Sequence, residues 1–217
     1  MNIINLGEQK TLLNQFVAEL RDEKIQTDSM RFRRNLERVG EIFAYEISKT
    51  LKYEEKQVIT PLGIASVFLP IEKPVLATIL RAGLPLHQGL LNYFDTADNS
   101  FISAFRKYSK DGTFHIELEY ISCPKLDDRI LIICDPMIAT GSSIILAYNA
   151  LIANGMPQHI HIVTVIISKD AIKKMQKTLN LKNLTIWTGA IDEELTVKSY
   201  IVPGIGDAGD LAYGSKV

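Results

Sequence analysis

Apolar residues recur at helical spacing through the first quarter of the chain, then change to short unbroken runs after Pro74. Leu12, Leu13, Phe16, Val17 and Leu20 form one stripe, and Phe32, Leu36, Val39, Phe43, Ile47 and Leu51 form a second. Such spacing puts side chains on one helix face, so two amphipathic helices are predicted, the second opened by Asp28 or Ser29 as N-cap. Beyond Pro74, Val75–Leu80, Arg129–Cys134, His159–Ile167 and Leu184–Ile191 read as strands. Leu84–Tyr93 (despite Gly89), Ser143–Ala153 and Asp170–Leu179 read as helices between them. Phe101–Tyr108 and Thr113–Ser122 flank Ser109-Lys110-Asp111-Gly112, whose Asp-Gly pair is a hairpin signal. Strands alternating with helices predict an α/β domain with a mainly parallel central sheet flanked by helices. Strands of that kind are covered on both faces and lose the polar alternation of an exposed sheet.

The 217 residues suit one domain: a helical N-terminal elaboration over 1–56, an α/β core over 74–191 and a C-terminal loop over 198–217. One compositional feature sharpens this. In a chain that is 23% charged, the 33 residues from Pro136 to Ser168 contain no Asp, Glu, Lys or Arg. Thr140-Gly141-Ser142-Ser143 and Asn154-Gly155-Met156-Pro157 break that run into pieces too short to span a membrane, which takes about 20 apolar residues. It reads as buried core. A net charge of −1 lacks the basic excess of a nucleic-acid or anionic-membrane binder. The first residues show no basic region followed by an apolar stretch, and two cysteines make no disulfide framework, so a cytoplasmic protein is expected.

Ligands of open α/β sheets bind beyond the carboxyl ends of the strands, which directs attention to three segments. Asp135-Pro136-Met137-Ile138-Ala139-Thr140-Gly141-Ser142-Ser143 lies between a strand and a helix. Its small and hydroxylic residues free backbone N–H groups to surround an anion at the helix N-terminus. No Gly-Lys-Ser/Thr occurs in it, so it is not a nucleoside-triphosphate P-loop. Arg81 ends another strand, where it needs an anionic partner, and Arg106 on the hairpin is similar. Tyr200–Asp210 holds Gly204, Gly206 and Gly209 in a literal Gly-x-Gly-x-x-Gly. A dinucleotide fingerprint must open a helix inside a βαβ unit, which this tail cannot supply; a glycine-rich loop can instead bring backbone groups against a flat polar ligand. Arg31, Arg33, Arg34 and Arg38 read as a solvated helix face with Glu37 and Glu41 as partners. His159 and His161 read as core or rim positions, since no third metal ligand accompanies them.

Together the three segments resemble the uracil phosphoribosyltransferases of the type I phosphoribosyltransferase superfamily, from the Arg33–Tyr45 helix to the end of the chain. That resemblance implies a protruding β-hairpin and a hood formed from the N- and C-terminal segments. It implies a phosphoribosyl-diphosphate loop over Asp135, Pro136, Met137, Ile138, Ala139, Thr140, Gly141, Ser142 and Ser143, with Asp135 near the ribose hydroxyls. Arg81 and Arg106 would contact pyrophosphate, and Asp207 would face the phosphoribosyl donor. Ile201, Gly206 and Ala208 would bind the uracil edge through their backbone, Asp207 lying among them. Catalysis would fall to Asp135 and Asp207. Mg²⁺ would be held mainly by the substrate, with no dedicated protein metal site. The implied reaction joins uracil to 5-phospho-α-D-ribose 1-diphosphate, giving UMP and pyrophosphate, in a homodimer or higher homo-oligomer. Ser142 stands where the family usually has a second Gly, and Leu84-Pro85-Leu86-His87-Gln88 departs from the usual first loop. Two alternatives remain: a nucleotide-sensing RNA-binding regulator on the same fold, which the balanced charge argues against, and a phosphoribosyltransferase for another nucleobase.

Overall fold

A computed structural model describes residues 1–108, 114–180 and 182–215, with the side chains of 104–108 and 114–117 outside that description. The two apolar stripes become α1 (Leu12–Arg21) and α2 (Ser29–Ser48). Thr11 and Asn14 form a reciprocal capping box on α1. Asp28 is the N-cap of α2, accepting a hydrogen bond from Arg31 N–H at 3.0 Å. All six residues of the second stripe are buried.

The segment 1–56 is not helical throughout. Asn2–Asn5 forms strand β1, and the chain enters β2 (Tyr53–Thr60), which pairs with β3 (Gly63–Pro70) in a two-stranded arm of its own. Four residues are too few to show a period, and β1 is fixed by partners more than 180 positions away. The arm buries no face of its own, so its sequence lacks the alternation that marks a half-buried strand.

The core follows as β4 (Val75–Leu80), α3 (Leu84–Tyr93), β5 (Asp98–Tyr108), β6 (Phe114–Ser122), β7 (Ile130–Cys134) and β8 (Met137–Ile138). Next come α4 (Ser142–Ile152), β9 (His159–Ser168), α5 (Lys169–Thr178) and β10 (Leu184–Asp192). β11 (Glu194–Leu195), β12 (Ile201–Val202) and α6 (Ala208–Tyr213) complete the chain. The hairpin is present as β5 and β6; its turn, 109–113, lies outside the described residues.

The main sheet runs β1-β10-β9-β7-β4-β5-β6, with β8 alongside β9; every pairing is parallel except β5 with β6. Successive side chains point to opposite faces, and both faces are covered. Leu76, Ile132 and Cys134 pack with α1, α2 and α3, whereas Val75, Ala77, Leu131 and Ile133 pack with α4 and α5. The charge-free run supplies β8, α4 and β9, and every residue of β9 after His159 is buried. Gly89 sits where α3 crosses α2: a Cβ there would lie 2.0 Å from the Glu37 carbonyl oxygen. Close helix contact, not helix propensity, accounts for that glycine.

Candidate active site

β4 and β7 are neighbours whose connections diverge. α3 leaves β4 over one face toward β5, and α4 leaves β7 over the other toward β9. The strand ends between them stay uncovered, the switch point at which doubly wound sheets hold ligands. Arg81 follows β4 there, across a cis Leu80–Arg81 peptide, and Asp135 follows β7.

The loop after β7 is shaped by backbone contacts. The Pro136 carbonyl accepts from the N–H groups of Val165 and Ile166, each at 3.1 Å. Gly141 is the N-cap of α4 with φ +75°, a conformation that suits glycine, and packs against Ala171 and Met175 of α5. Ser168, the N-cap of α5, donates its hydroxyl to the Ala139 carbonyl and accepts from Ala171 N–H. Within the loop, Ser142 N–H donates to Thr140 Oγ1 at 3.3 Å, and the two hydroxyls bond at 3.0 Å. Lys174 Nζ on α5 donates to Ser142 Oγ at 2.6 Å.

The loop faces the C-terminal tail across an open cleft. Asp135, Met137, Ile138, Ala139, Thr140, Gly141, Ser142 and Ser143 line it from one side, with Ile144; Ile201 and Asp207 line it from the other, with Ser199 and Tyr200. Pro136 is buried beneath. Gly206, at φ +79°, and Ala208, packed into the core, lie beside the cleft rather than on its wall. Asp207 is the N-cap of α6: its Oδ1 accepts from the N–H groups of Gly209 and Asp210, both at 3.0 Å. Arg81 does not line the cleft; its Nη2 donates to Asp210 Oδ1 and to the Gly214 carbonyl, each at 3.2 Å. Arg106 lies on β5 opposite Ile116, with its side chain outside the described residues.

Burial pushes the Asp135 carboxyl up to about 7, against a hydrogen bond from Met137 N–H that lowers it. Burial likewise drives the Cys134 thiol up to about 12, leaving it inert. His161 is held neutral, its pKa lowered to about 3 by burial and then by His159; its Nδ1 accepts from Trp187 Nε1–H at 3.0 Å. Among the described residues no group of three His, Cys, Asp or Glu could hold a metal ion, and no helix is long and apolar enough to cross a membrane.

Two contacts that build the site have no local signature. Arg21 forms a bidentate pair with Asp192, at 2.7 and 2.8 Å, and donates to the Gly204 carbonyl at 3.0 Å. Gly204 N–H returns a bond to Asp192 at 2.9 Å. Burial raises the Asp192 carboxyl, but Arg21 and Gly204 N–H outweigh it and hold the group below the ordinary range. Arg33 donates to the Ala212 carbonyl at 2.6 Å and lies over the Tyr213 ring. These N-terminal arginines thus clamp the tail, making the hood. The rest of the arginine cluster stays local: Arg31 pairs with Glu19, Arg34 with Glu37, and Arg38 donates to Asn35. Glu41 accepts from Asn92 on α3 rather than from an arginine.

Comparison with known proteins extends the geometry. A sequence model described as uracil phosphoribosyltransferase matches residues 7–215. A uracil phosphoribosyltransferase of Porphyromonas gingivalis is 55% identical over 217 residues, covering all of both chains. A solved structure from Aquifex aeolicus superposes with a TM-score of 0.85 at 29% identity, over 99% of each chain. A hypoxanthine phosphoribosyltransferase from Staphylococcus aureus, at 10% identity and a TM-score of 0.50 over 75% of this chain and 76% of its own, shares the fold alone. That fold is shared more widely, while the sequence match that runs from residue 7 to residue 215, through hood, loop and tail alike, is narrower: the chain belongs to the uracil phosphoribosyltransferase family.

Proposed function

We infer that this protein transfers the phosphoribosyl group of 5-phospho-α-D-ribose 1-diphosphate to N1 of uracil, releasing UMP and pyrophosphate. The observation that carries the reading is the single cleft in which the loop from Asp135 to Ser143 faces Ile201 and Asp207. In this reading the segment from Ala139 to Ser143 takes the 5′-phosphate at the start of α4, where the helix dipole favours an anion. As the bond to pyrophosphate breaks, positive charge develops on the ribose. The Asp135 carboxylate stabilises it and meets the ribose hydroxyls. Arg81 and Arg106 take the pyrophosphate, Arg81 exchanging Asp210 and the Gly214 carbonyl for it. Ile201, Gly206 and Ala208 read the uracil edge through their backbone, and Asp207 faces the donor.

No side-chain nucleophile is needed, because uracil N1 itself attacks the anomeric carbon. Mg²⁺ fits as an ion brought by the diphosphate: the cleft offers the hard oxygens of Asp135 and Asp207 but no cluster of three ligands among the described residues. When bound, it neutralises charge on the departing pyrophosphate. Two free cysteines fit a cytoplasmic setting. A homodimer is the expected assembly, supported by the apolar arm of β2 and β3.

Incubation with phosphoribosyl diphosphate, Mg²⁺ and each nucleobase in turn tests the reading. UMP is expected from uracil, with no monophosphate from adenine, guanine or hypoxanthine. A purine monophosphate as the main product would overturn it.

A further inference from the structure

Ser142 occupies the first position of α4, and its hydroxyl oxygen accepts two hydrogen bonds: one from Thr140 Oγ1 at 3.0 Å and one from Lys174 Nζ at 2.6 Å. A hydroxyl has two acceptor lone pairs and one donor hydrogen. With both lone pairs engaged, the hydrogen is the only function left to offer the cleft that Ser142 lines. Lys174 comes from α5, a separate element whose backbone packs against Gly141. Among the described residues no carboxylate pairs with it; Asp170, one turn earlier, pairs with Lys173. An exposed lysine with no acid to neutralise it is thus drawn to the rim of the loop.

We propose that Lys174 is a positioning residue for the donor's 5′-phosphate: it fixes Ser142 as an obligatory hydrogen-bond donor and sets a positive charge at the edge of the phosphate loop. The assignment rests on the transferase reading above. A loop of backbone amides and neutral hydroxyls holds an anion by dipoles alone, and a cation one hydroxyl away adds a charge-assisted contact. The pair also gives a serine at this position a use: it carries the lysine's influence into the cleft.

The test compares ligands that carry the 5′-phosphate with one that does not. Calorimetric titration of wild type, Lys174→Met and Lys174→Arg with UMP and with inorganic pyrophosphate is the measurement, beside steady-state kinetics. Lys174→Met should weaken UMP about 10-fold and raise the donor's KM by about the same factor, with kcat and pyrophosphate affinity within about twofold. Lys174→Arg, which keeps the charge and the donor, should recover most of the UMP affinity. A merely structural lysine would not split the two ligands in this way. Equal weakening of UMP and pyrophosphate, or UMP affinity unchanged in Lys174→Met while uracil transfer proceeds, would overturn the lysine's role and leave the transferase reading standing. Failure of the wild type to bind UMP at all would overturn both.

Discussion

Asp207 has two duties that an amide separates. Its Oδ1 caps α6 through the N–H groups of Gly209 and Asp210, and its charge faces the cleft. Asparagine keeps the acceptor oxygen and loses the charge, so Asp207→Asn should fold with stability within about 0.5 kcal/mol of wild type, since Asn and Asp cap equally well. It should lose kcat about 100-fold, with little change in uracil binding, because removing a transition-state contact of this type costs that much. Unchanged turnover would remove Asp207 from the mechanism. Asp135 makes a prediction through pH. An unfolded aspartate titrates near about 3.9, whereas burial moves this one up to about 7. Between those values the folded chain keeps a proton that the unfolded chain has lost. The stability this group contributes is therefore full below about pH 4 and declines as pH rises through about 7. Asp135→Asn, which cannot ionise, should gain on the order of 4 kcal/mol over wild type at pH 8 and nothing at pH 4. Its activity should move the other way. Wild-type kcat/KM should rise from pH 6 to 8 as the carboxylate forms, and the variant should lack that rise. Thermal melts and rate profiles over one buffer series check both.

At the scale of elements, the crossing of α2 and α3 sets the pitch of the layer under the hood. A Cβ on Gly89 would meet the Glu37 carbonyl oxygen at 2.0 Å and Glu41 N at 2.9 Å, and one on Gly40 would meet the Leu86 carbonyl oxygen at 2.3 Å. Gly89→Ala would gain about 1 kcal/mol of helix propensity but must push two backbones apart. It should destabilise the fold by more than about 2 kcal/mol net in urea unfolding. Stability equal to wild type would mean that the helices part without cost. The same glycine shows what was legible in sequence. The run Leu84–Tyr93 announces a helix in spite of Gly89, and the helix has those bounds; the reason for the glycine is a contact with residues fifty positions earlier. Strands buried on both faces, such as Val75–Leu80, are legible because burial leaves an unbroken apolar run. β1 is not, because its identity comes from pairing with β10. In the cleft, the segments from Asp135 to Ser143 and from Tyr200 to Asp210 stand out as continuous loops. Lys174 acts through Ser142, 32 positions away, and Arg21 through Asp192 and Gly204, 171 and 183 positions away, so neither leaves a local pattern.

At the scale of the whole molecule, the arm of β2 and β3 stands apart from both faces of the central sheet. Ile59 is 87% exposed, Leu62 fully so, and Ile64 and Phe68 about 70%. An isolated two-stranded hairpin is marginal in water, and a cluster of large apolar side chains on one marks an interaction surface. The expected occupant is a second copy of this chain, in keeping with the proposed homodimer. Sedimentation velocity at micromolar concentration should give the mass of a dimer for the wild type. Replacing Ile59 and Phe68 together by Glu should shift it to a monomer. The buried hydrophobics that anchor α2 (Phe32, Leu36, Val39, Phe43, Ala44 and Ile47) belong to a core that does not include the arm. Far-ultraviolet dichroism and the packing of α2 should therefore survive the change, so a monomer that keeps its fold is the specific outcome. A wild type that sediments as a monomer would remove the arm's role in assembly. A double variant that stays dimeric would place the interface elsewhere on the molecule.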